Sequence, residues 1–453
     1  CTFGNPEYYF NATLVSNASN SMSSEAFANG LLTTTASSST CGNSIIETGE
    51  ICDDGNTRNL DGCSSSCQIE KNFKGDVVWN CSGQPSVCSW IPPIGIPDVP
   101  FGIEESYRMY NNPTNQNPAL TYTQNSEGGF FTHYVNCTDT NQDGSCDNSC
   151  SDSQTYGDPS NPRCSIPTSL LEGSVVEVHG ELNIYSSVSL IVNGNAARPI
   201  FIRGVNKNSR PILEKDYSVT GSYTVFENLY FRQRTASGST VPGFSITGTS
   251  DHIVVRHNEF IGQTNYGPTS TTVVSVGGTD VRYTVIYNNE IYNFSDWMIS
   301  SALDPNLNGL TINIGSHQTW IVDNHVYYMG GDSIRVGTNG AALDAATRFY
   351  IGRNLFHENA ENAIDCKASS HVIVSQNRIY GFDKPGDAVA AITCHEDGTA
   401  GNNAWILYNE IYNSGTGITH ESWTDTFTIG NIIYNIHGMT NSRGIRARTG
   451  GGD

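Results

Sequence analysis

Asp365, Lys367, His395 and Glu421 are residue types that carry acid–base chemistry, and their spacing follows a repeat that would bring them side by side. A base that takes the proton α to a uronate carboxylate, beside a cation that stabilises the developing charge, is the chemistry such a group could serve, with Lys367 as the base. The plain alternative is a complementary charge ladder on a solvated sheet face. A net charge of 23 − 44 = −21 repels a polyanionic substrate unless calcium bridges it.

Two other clusters are rich in oxygen donors. Asp53, Asp54, Asn56 and Asp61 lie in a short cysteine-bounded loop, a composition calcium favours, although Asp and Asn in turns also bond their own backbone. Asp139, Asn141, Asp143 and Asp147 occupy the first nine positions of an EF-hand-like loop. Its twelfth position, where a bidentate glutamate belongs, is Cys150.

The elements that must position these residues are read from two repeats. Ile334, Ile364, Ile392, Ile418 and Ile445 are separated by 30, 28, 26 and 27 residues. Asparagines at 228, 258, 289, 324, 354, 377, 409 and 431 recur every 22 to 35 residues, each followed by an apolar and aromatic pair. Such periods fit one turn of a parallel β-helix with variable loops, with Asn at bends and its side chains bonding from coil to coil. If each isoleucine points inward, alternation sends Val336, Cys366, Cys394, His420 and Ala447 inward as well. Gly337, Lys367, His395, Glu421 and Arg448 then face outward, with Arg335, Asp365 and Arg446 beside them. Cys366 would sit over Cys394 at a coil spacing of about 4.8 Å, which predicts a disulfide. Tyr292, Tyr327, Phe356, Tyr380, Tyr412 and Tyr434 recur at one repeat position and predict an internal aromatic stack at a corner.

Few charged residues and abundant Gly, Asn, Ser and Thr also favour strands and turns over helices. The acidic balance excludes a nucleic-acid partner bound through a positive field. No apolar run is long enough for a membrane-spanning helix, and the opening Cys1-Thr2-Phe3-Gly4 does not read as a signal peptide. Thirteen cysteines fall as six in 41–88, four in 137–164, Cys366, Cys394 and a lone Cys1. Even clusters predict disulfides within each cluster and an oxidising, extracellular setting. Sequons at Asn11, Asn17, Asn80, Asn136 and Asn293 agree with a glycoprotein. The fold expected is all-β: an extended arm over 1–40, a cysteine-rich module over 41–90, a Pro-rich connector and second disulfide-rich segment over 91–165, and a parallel β-helix over 166–453.

Two stretches resemble known families. Cys41-Gly42-Asn43, Cys52-Asp53-Asp54-Gly55-Asn56 and Asp61-Gly62-Cys63-Ser64-Ser65-Ser66-Cys67-Gln68-Ile69-Glu70 resemble the cysteine-rich repeats of multidomain secreted and surface proteins. Ile166 to Leu170, Val175 to Gly180, Arg198 to Gly204 and the Asn repeats resemble right-handed parallel β-helix proteins of the pectate-lyase-like superfamily. That resemblance implies the fold, and it likens the Asp365 group to the place where β-helical lyases set a basic residue beside acidic calcium ligands. The scaffold hosts lyases, hydrolases, adhesins and fibres alike. The function expected first is a structural or adhesive surface glycoprotein that assembles with copies of itself through the arm, Cys1 and the β-helix ends. The alternative is a calcium-dependent polysaccharide lyase or related carbohydrate-active enzyme, with an extracellular polysaccharide as partner.

Overall fold

Residues 40–99, 116–125, 129–139, 145–182, 187–232, 243–262, 271–294, 307–337, 346–383, 389–395, 399, 401–438 and 442–448 are described by a computed structural model of the chain. The arm, Cys1, Asn11, Asn17, Asn141 and Asp143 lie outside them. Among these residues the chain is all-β, and thirty strands join one parallel assembly wound as a solenoid.

Each full rung supplies three strands. Ile364–Cys366, Ser370–Ser375 and Arg378–Phe382 form one, and Ala390–His395, Asn402–Leu407 and Glu410–Ser414 lie on it in parallel register. The isoleucine column pairs as expected, Ile334 with Ile364, Ile364 with Ile392, Ile392 with Ile418 and Ile418 with Ile445. The first four are fully buried, and Ile445 in the last rung is 53% exposed. One continuous apolar core runs the length of the coil. It reaches back before residue 166, because His133–Cys137 is the first strand to pair with the coil, against Val175–Leu182.

The bends behave differently from the expectation. The residue with positive φ stands one place before the repeat Asn: His257, Asn288, Asp323, Arg353, Gln376, Tyr408 and Gly430 have φ between 51° and 68°. Each Asn instead joins rungs. From Asn258 through Asn289, Asn324, Asn354, Asn377, Asn409 and Asn431, every Oδ1 after the first accepts both the backbone N–H and the Nδ2 of the preceding Asn at 2.8–3.1 Å. Asn228 is out of register; it takes the positive-φ place itself, at 55°, and Leu229 bonds Asn258.

The cysteine-rich module is closed by Cys41–Cys67, Cys52–Cys63 and Cys81–Cys88, and the next segment by Cys137–Cys146 and Cys150–Cys164. Both clusters pair internally, as short loops favour. The module lies on the outer face of the middle strands, where Val78, Trp79, Trp90 and Ile96 pack against Val175, Phe201, Val225, Val254, Val285, Tyr287, Trp320 and Val322. Asp323 anchors it, receiving Asn72 Nδ2 at 2.8 Å and Trp90 Nε1 at 3.2 Å while Arg353 binds both its oxygens at 2.8–3.0 Å. Covering this face also buries the Glu227–Arg256 pair, 2.8 Å apart. A buried pair of this kind costs several kcal/mol if one partner is removed.

The second disulfide-rich segment closes the first rung. Tyr134 N–H donates to Tyr156 O, Arg163 N–H to Tyr134 O and Asn136 N–H to Arg163 O, all at 2.9–3.0 Å, so the outer edge of His133–Cys137 is already paired. At the other end Trp405, Tyr408, Phe427, Ile429, Ile432, Tyr434 and Ile445 are exposed.

Candidate functional site

The first strands of successive rungs carry the expected group. Arg335, Asp365, Thr393, Thr419 and Arg446 stand in one outward column, and His395 pairs in register with Glu421. Asp365 Oδ1 lies 3.0 Å from His395 Nε2, and Oδ2 lies 3.4 Å from Lys367 Nζ. Asp365, Thr393 and Thr419 are buried although they point away from the core, so this stretch is a covered face rather than a solvated one.

Sequence reasoning missed Asp332. It stands two places before Ile334, the position that Asn308, Asn362, Ala390 and Thr416 hold in neighbouring rungs relative to their own core residue. A periodic polar site at that offset was the signal available. Asp332 is buried; its N–H donates to Asn308 Oδ1 at 2.9 Å, and its Oδ1 accepts Asn362 N–H and Nδ2 at 3.0 Å each. Burial first, and then the negative charge of Asp365, push its carboxyl up to about 7, against the Asn362 bonds and Arg335. Asp332 is the member of this acidic pair that can hold a proton, and its neighbour Asp365 contacts a histidine and a lysine.

The inward column holds Val336, Cys366, Cys394, His420 and Ala447 as expected, but the disulfide does not follow. Cys366 and Cys394 are free, buried thiols. In stacked parallel strands the two Cα–Cβ bonds run side by side, so the Cβ atoms stay near the rung spacing of about 4.8 Å, beyond the usual 3.5–4.5 Å of a bridge. The hydrogen bond from Cys366 pulls the Cys394 thiol down, helped by His420 and opposed by burial.

The oxygen-rich loops divide. Asp53 accepts the backbone N–H groups of Gly42, Asn43, Ser44 and Gly55 at 2.8–3.2 Å, and Asn56 Oδ1 accepts Arg58 N–H at 2.7 Å. Glu70 does the same for Leu60 and Gly62. These side chains tie a module too small for a large core, and a calcium ion would have to break those bonds, so the expected four-residue set does not fit the metal. Asp54 Oδ1 accepts Asn56 N–H at 3.3 Å, and burial first, then the Asp61 carboxylate, push the Asp54 carboxyl up to about 7. Asp139 is buried and Asp147 N–H donates to Thr138 O at 2.6 Å.

The aromatic column stands on the outer face of the third strands, not in the core. Alternation explains why: the residue two places after each repeat Asn points inward and the third points outward. Phe356 is therefore a core residue, and His357 takes its place in the stack Tyr292, Tyr327, His357, Tyr380, Tyr412, Tyr434. Successive ring centroids are 4.8–5.0 Å apart and nearly parallel. Their faces are spent on one another. Hydroxyls bridge rungs, Tyr292 to Glu259 at 2.6 Å and Tyr327 to Glu290 at 3.1 Å.

Residues 32–68 match a domain of unknown function (DUF4215). No curated protein matches the chain. Among solved structures, the GH136 lacto-N-biosidase from Eubacterium ramulus is similar at 13% identity and a TM-score of 0.42, over 70% of this chain and 67% of that one. The Streptococcus pneumoniae surface protein and adhesin PfbA is similar at 10% identity and a TM-score of 0.32, over 60% and 91%. The catalytic domain of a GH87 α-1,3-glucanase is similar at 12% identity and a TM-score of 0.30, over 62% and 64%. These are likenesses of fold, and the functional argument rests on the chain's own residues.

Proposed function

We propose that the chain is a β-helical surface protein that acts on a polysaccharide, with the Asp332–Asp365 pair as its acid–base centre. The observation that carries this reading is the raised carboxyl of Asp332 beside an Asp365 gripped by His395 and Lys367. A carboxyl able to hold a proton beside a second acidic side chain is the kind of pair that glycosidic cleavage uses. The column Arg335, Asp365, Thr393 and Thr419 follows the solenoid axis, and a rung spacing of about 4.8 Å is close to the length of one sugar unit, which suits a linear polymer. Five disulfides favour an oxidising, extracellular setting. The test is a panel of pectic, alginate, glycosaminoglycan and neutral glucan substrates, read for new reducing ends and for the ultraviolet absorbance of unsaturated products. New ends without absorbance identify a hydrolase, and absorbance identifies a lyase. Asp365→Asn abolishes either. Glycan binding without turnover makes the protein an adhesin, and neither binding nor turnover refutes the reading.

Self-assembly has its own support in Trp405 and Phe427, exposed and stacked at 4.2 Å on the outer face of the second strands. The closed first rung disfavours the head-to-tail filament expected from the sequence, because that edge already has its partner. Contact between the same face of two copies is isologous and stops at a dimer. Light scattering of the intact chain tests this: a dimer that Phe427→Lys dissociates supports it, and a monomer at high concentration rejects it. Calcium, if bound, belongs at Asp54 and Asp61.

A further inference from the structure

The outer face of the third strands holds a second group of residues, on a different side of the solenoid from Asp365. His325 and His357 come from adjacent rungs, and their Nε2 atoms are 2.8 Å apart. Each ring has its other nitrogen turned to a carboxylate: His357 Nδ1 is 2.9 Å from Glu358 Oε2, and His325 Nδ1 is 3.4 Å from Glu290 Oε1. The rings cannot turn away. His357 is sandwiched between Tyr327 and Tyr380 at 4.8 Å on both sides, and His325 is held by Tyr327 at 4.3 Å and by Phe73 of the cysteine-rich module at 5.3 Å. Both side chains are mostly buried, at 16% and 10% exposure.

The hydrogens follow from those contacts. A neutral imidazole carries one N–H, and the carboxylate beside each Nδ1 draws it there. At 2.8 Å the two Nε2 atoms then require either that one ring carry its N–H on Nε2, giving up its carboxylate bond, or that a cation take both lone pairs. A carboxylate facing the Nδ1 of a histidine that ligates through Nε2 is the outer-shell arrangement of metal-binding histidines, and here it occurs twice. We propose that His325 and His357 form a binding site for one divalent late transition-metal ion, ligated through both Nε2 atoms, with water completing the coordination on the solvent side.

The spacing narrows the choice of metal. Two nitrogens each about 2.0–2.1 Å from a metal are about 2.9 Å apart when they subtend 90° and about 3.4 Å apart at a tetrahedral angle. The 2.8 Å separation matches the first, the cis position of a tetragonal Cu(II) or Ni(II) ion. Zn(II) binds after a small opening of the pair. This site is independent of the reaction proposed at Asp332 and Asp365.

The experiment uses the full chain without a polyhistidine tag. Copper(II) chloride, nickel(II) chloride and zinc chloride are titrated by calorimetry, and the copper-loaded protein is examined by electron paramagnetic resonance. The expected result is one tight site, copper before zinc, with hyperfine splitting from two imidazole nitrogens. His357→Tyr places in the stack the residue that Tyr327 and Tyr380 already are, so the fold is retained while a ligand is lost; the tight site disappears. Glu358→Gln keeps both ligands and weakens binding about 10- to 100-fold. Uptake by wild type that His357→Tyr leaves unchanged, or a copper spectrum with fewer than two imidazole nitrogens, overturns the proposal. So does the absence of uptake of all three ions, in which case a shared proton separates the two rings.

Discussion

Replacing Asn354 by Ala tests whether the asparagine column or the apolar core holds the rungs in register. The side chain is fully buried. Its Oδ1 accepts Asn324 N–H at 2.8 Å and Asn324 Nδ2 at 3.0 Å; its Nδ2 donates to Ile321 O and Asn377 Oδ1 at 2.9 Å each. Removing it strands the Asn324 N–H, at about 1–3 kcal/mol, and forfeits three further bonds at about 0.5–1.5 kcal/mol each, for a total of about 2.5–7.5 kcal/mol. Asn431 makes the same bonds to Asn409, at 2.8 Å, but at the half-buried end of the column. Water replaces much of what is lost there, so Asn431→Ala costs about 1 kcal/mol. Asn354→Asp separates hydrogen bonding from volume: it keeps the acceptor and sets a second oxygen against Ile321 O and Asn377 Oδ1, so it destabilises at least as much as Ala. Because a solenoid unfolds by rungs as well as globally, the assay pairs denaturant midpoints with hydrogen exchange at the Asn324 amide. Equal losses at 354 and 431, or a loss below about 1 kcal/mol at 354, refute the reasoning.

Ile392→Ala costs about 2–5 kcal/mol as a core truncation, while Ile445→Ala, at 53% exposure, leaves the denaturation midpoint almost unchanged. Asp332 binds its proton more tightly folded than unfolded, so its contribution to stability is present below its unfolded value of 3.8 and is lost as pH rises towards 7; Asp332→Asn flattens that decline in thermal denaturation across pH 4–7. Cys366 and Cys394 resist iodoacetamide in the native protein and react after unfolding without reductant, whereas a Cys366–Cys394 peptide in a non-reducing map would contradict their free state. Calcium raises the melting temperature of wild type but not of Asp54→Asn if the Asp54–Asp61 pair takes the ion.

The period of the chain was readable because a parallel coil repeats the same chemistry at the same place. One inward isoleucine fixed the facing of its neighbours, so the thiol column under Cys366 and the outward group at Asp365 followed by alternation alone. What failed did so where residue type was allowed to outrank position. Phe356 looked like the aromatic member of its rung, yet it stands two places after Asn354, where side chains point inward, and the outward third place belongs to His357. The same slip hid the paired histidines, since a histidine in a tyrosine column reads as an interruption until the register is counted. Asp332 escaped for a related reason: the offset that carries it is occupied by Asn, Asp, Ala and Thr in different rungs, so no single residue type advertises it. The cover over the middle strands was legible only in part. Cysteine spacing announces a small disulfide module, but where it docks depends on Asp323, Trp90 and Asn72 meeting across more than 200 residues of sequence. That docking bears on the metal proposal, because the module that buries the middle face also delivers Phe73 against His325. A ring stack that only stabilised the coil has no need of two imidazoles whose Nε2 atoms meet at 2.8 Å while both Nδ1 atoms face carboxylates; the orientation imposed on both rings favours a site for a cation over a defect in the ladder.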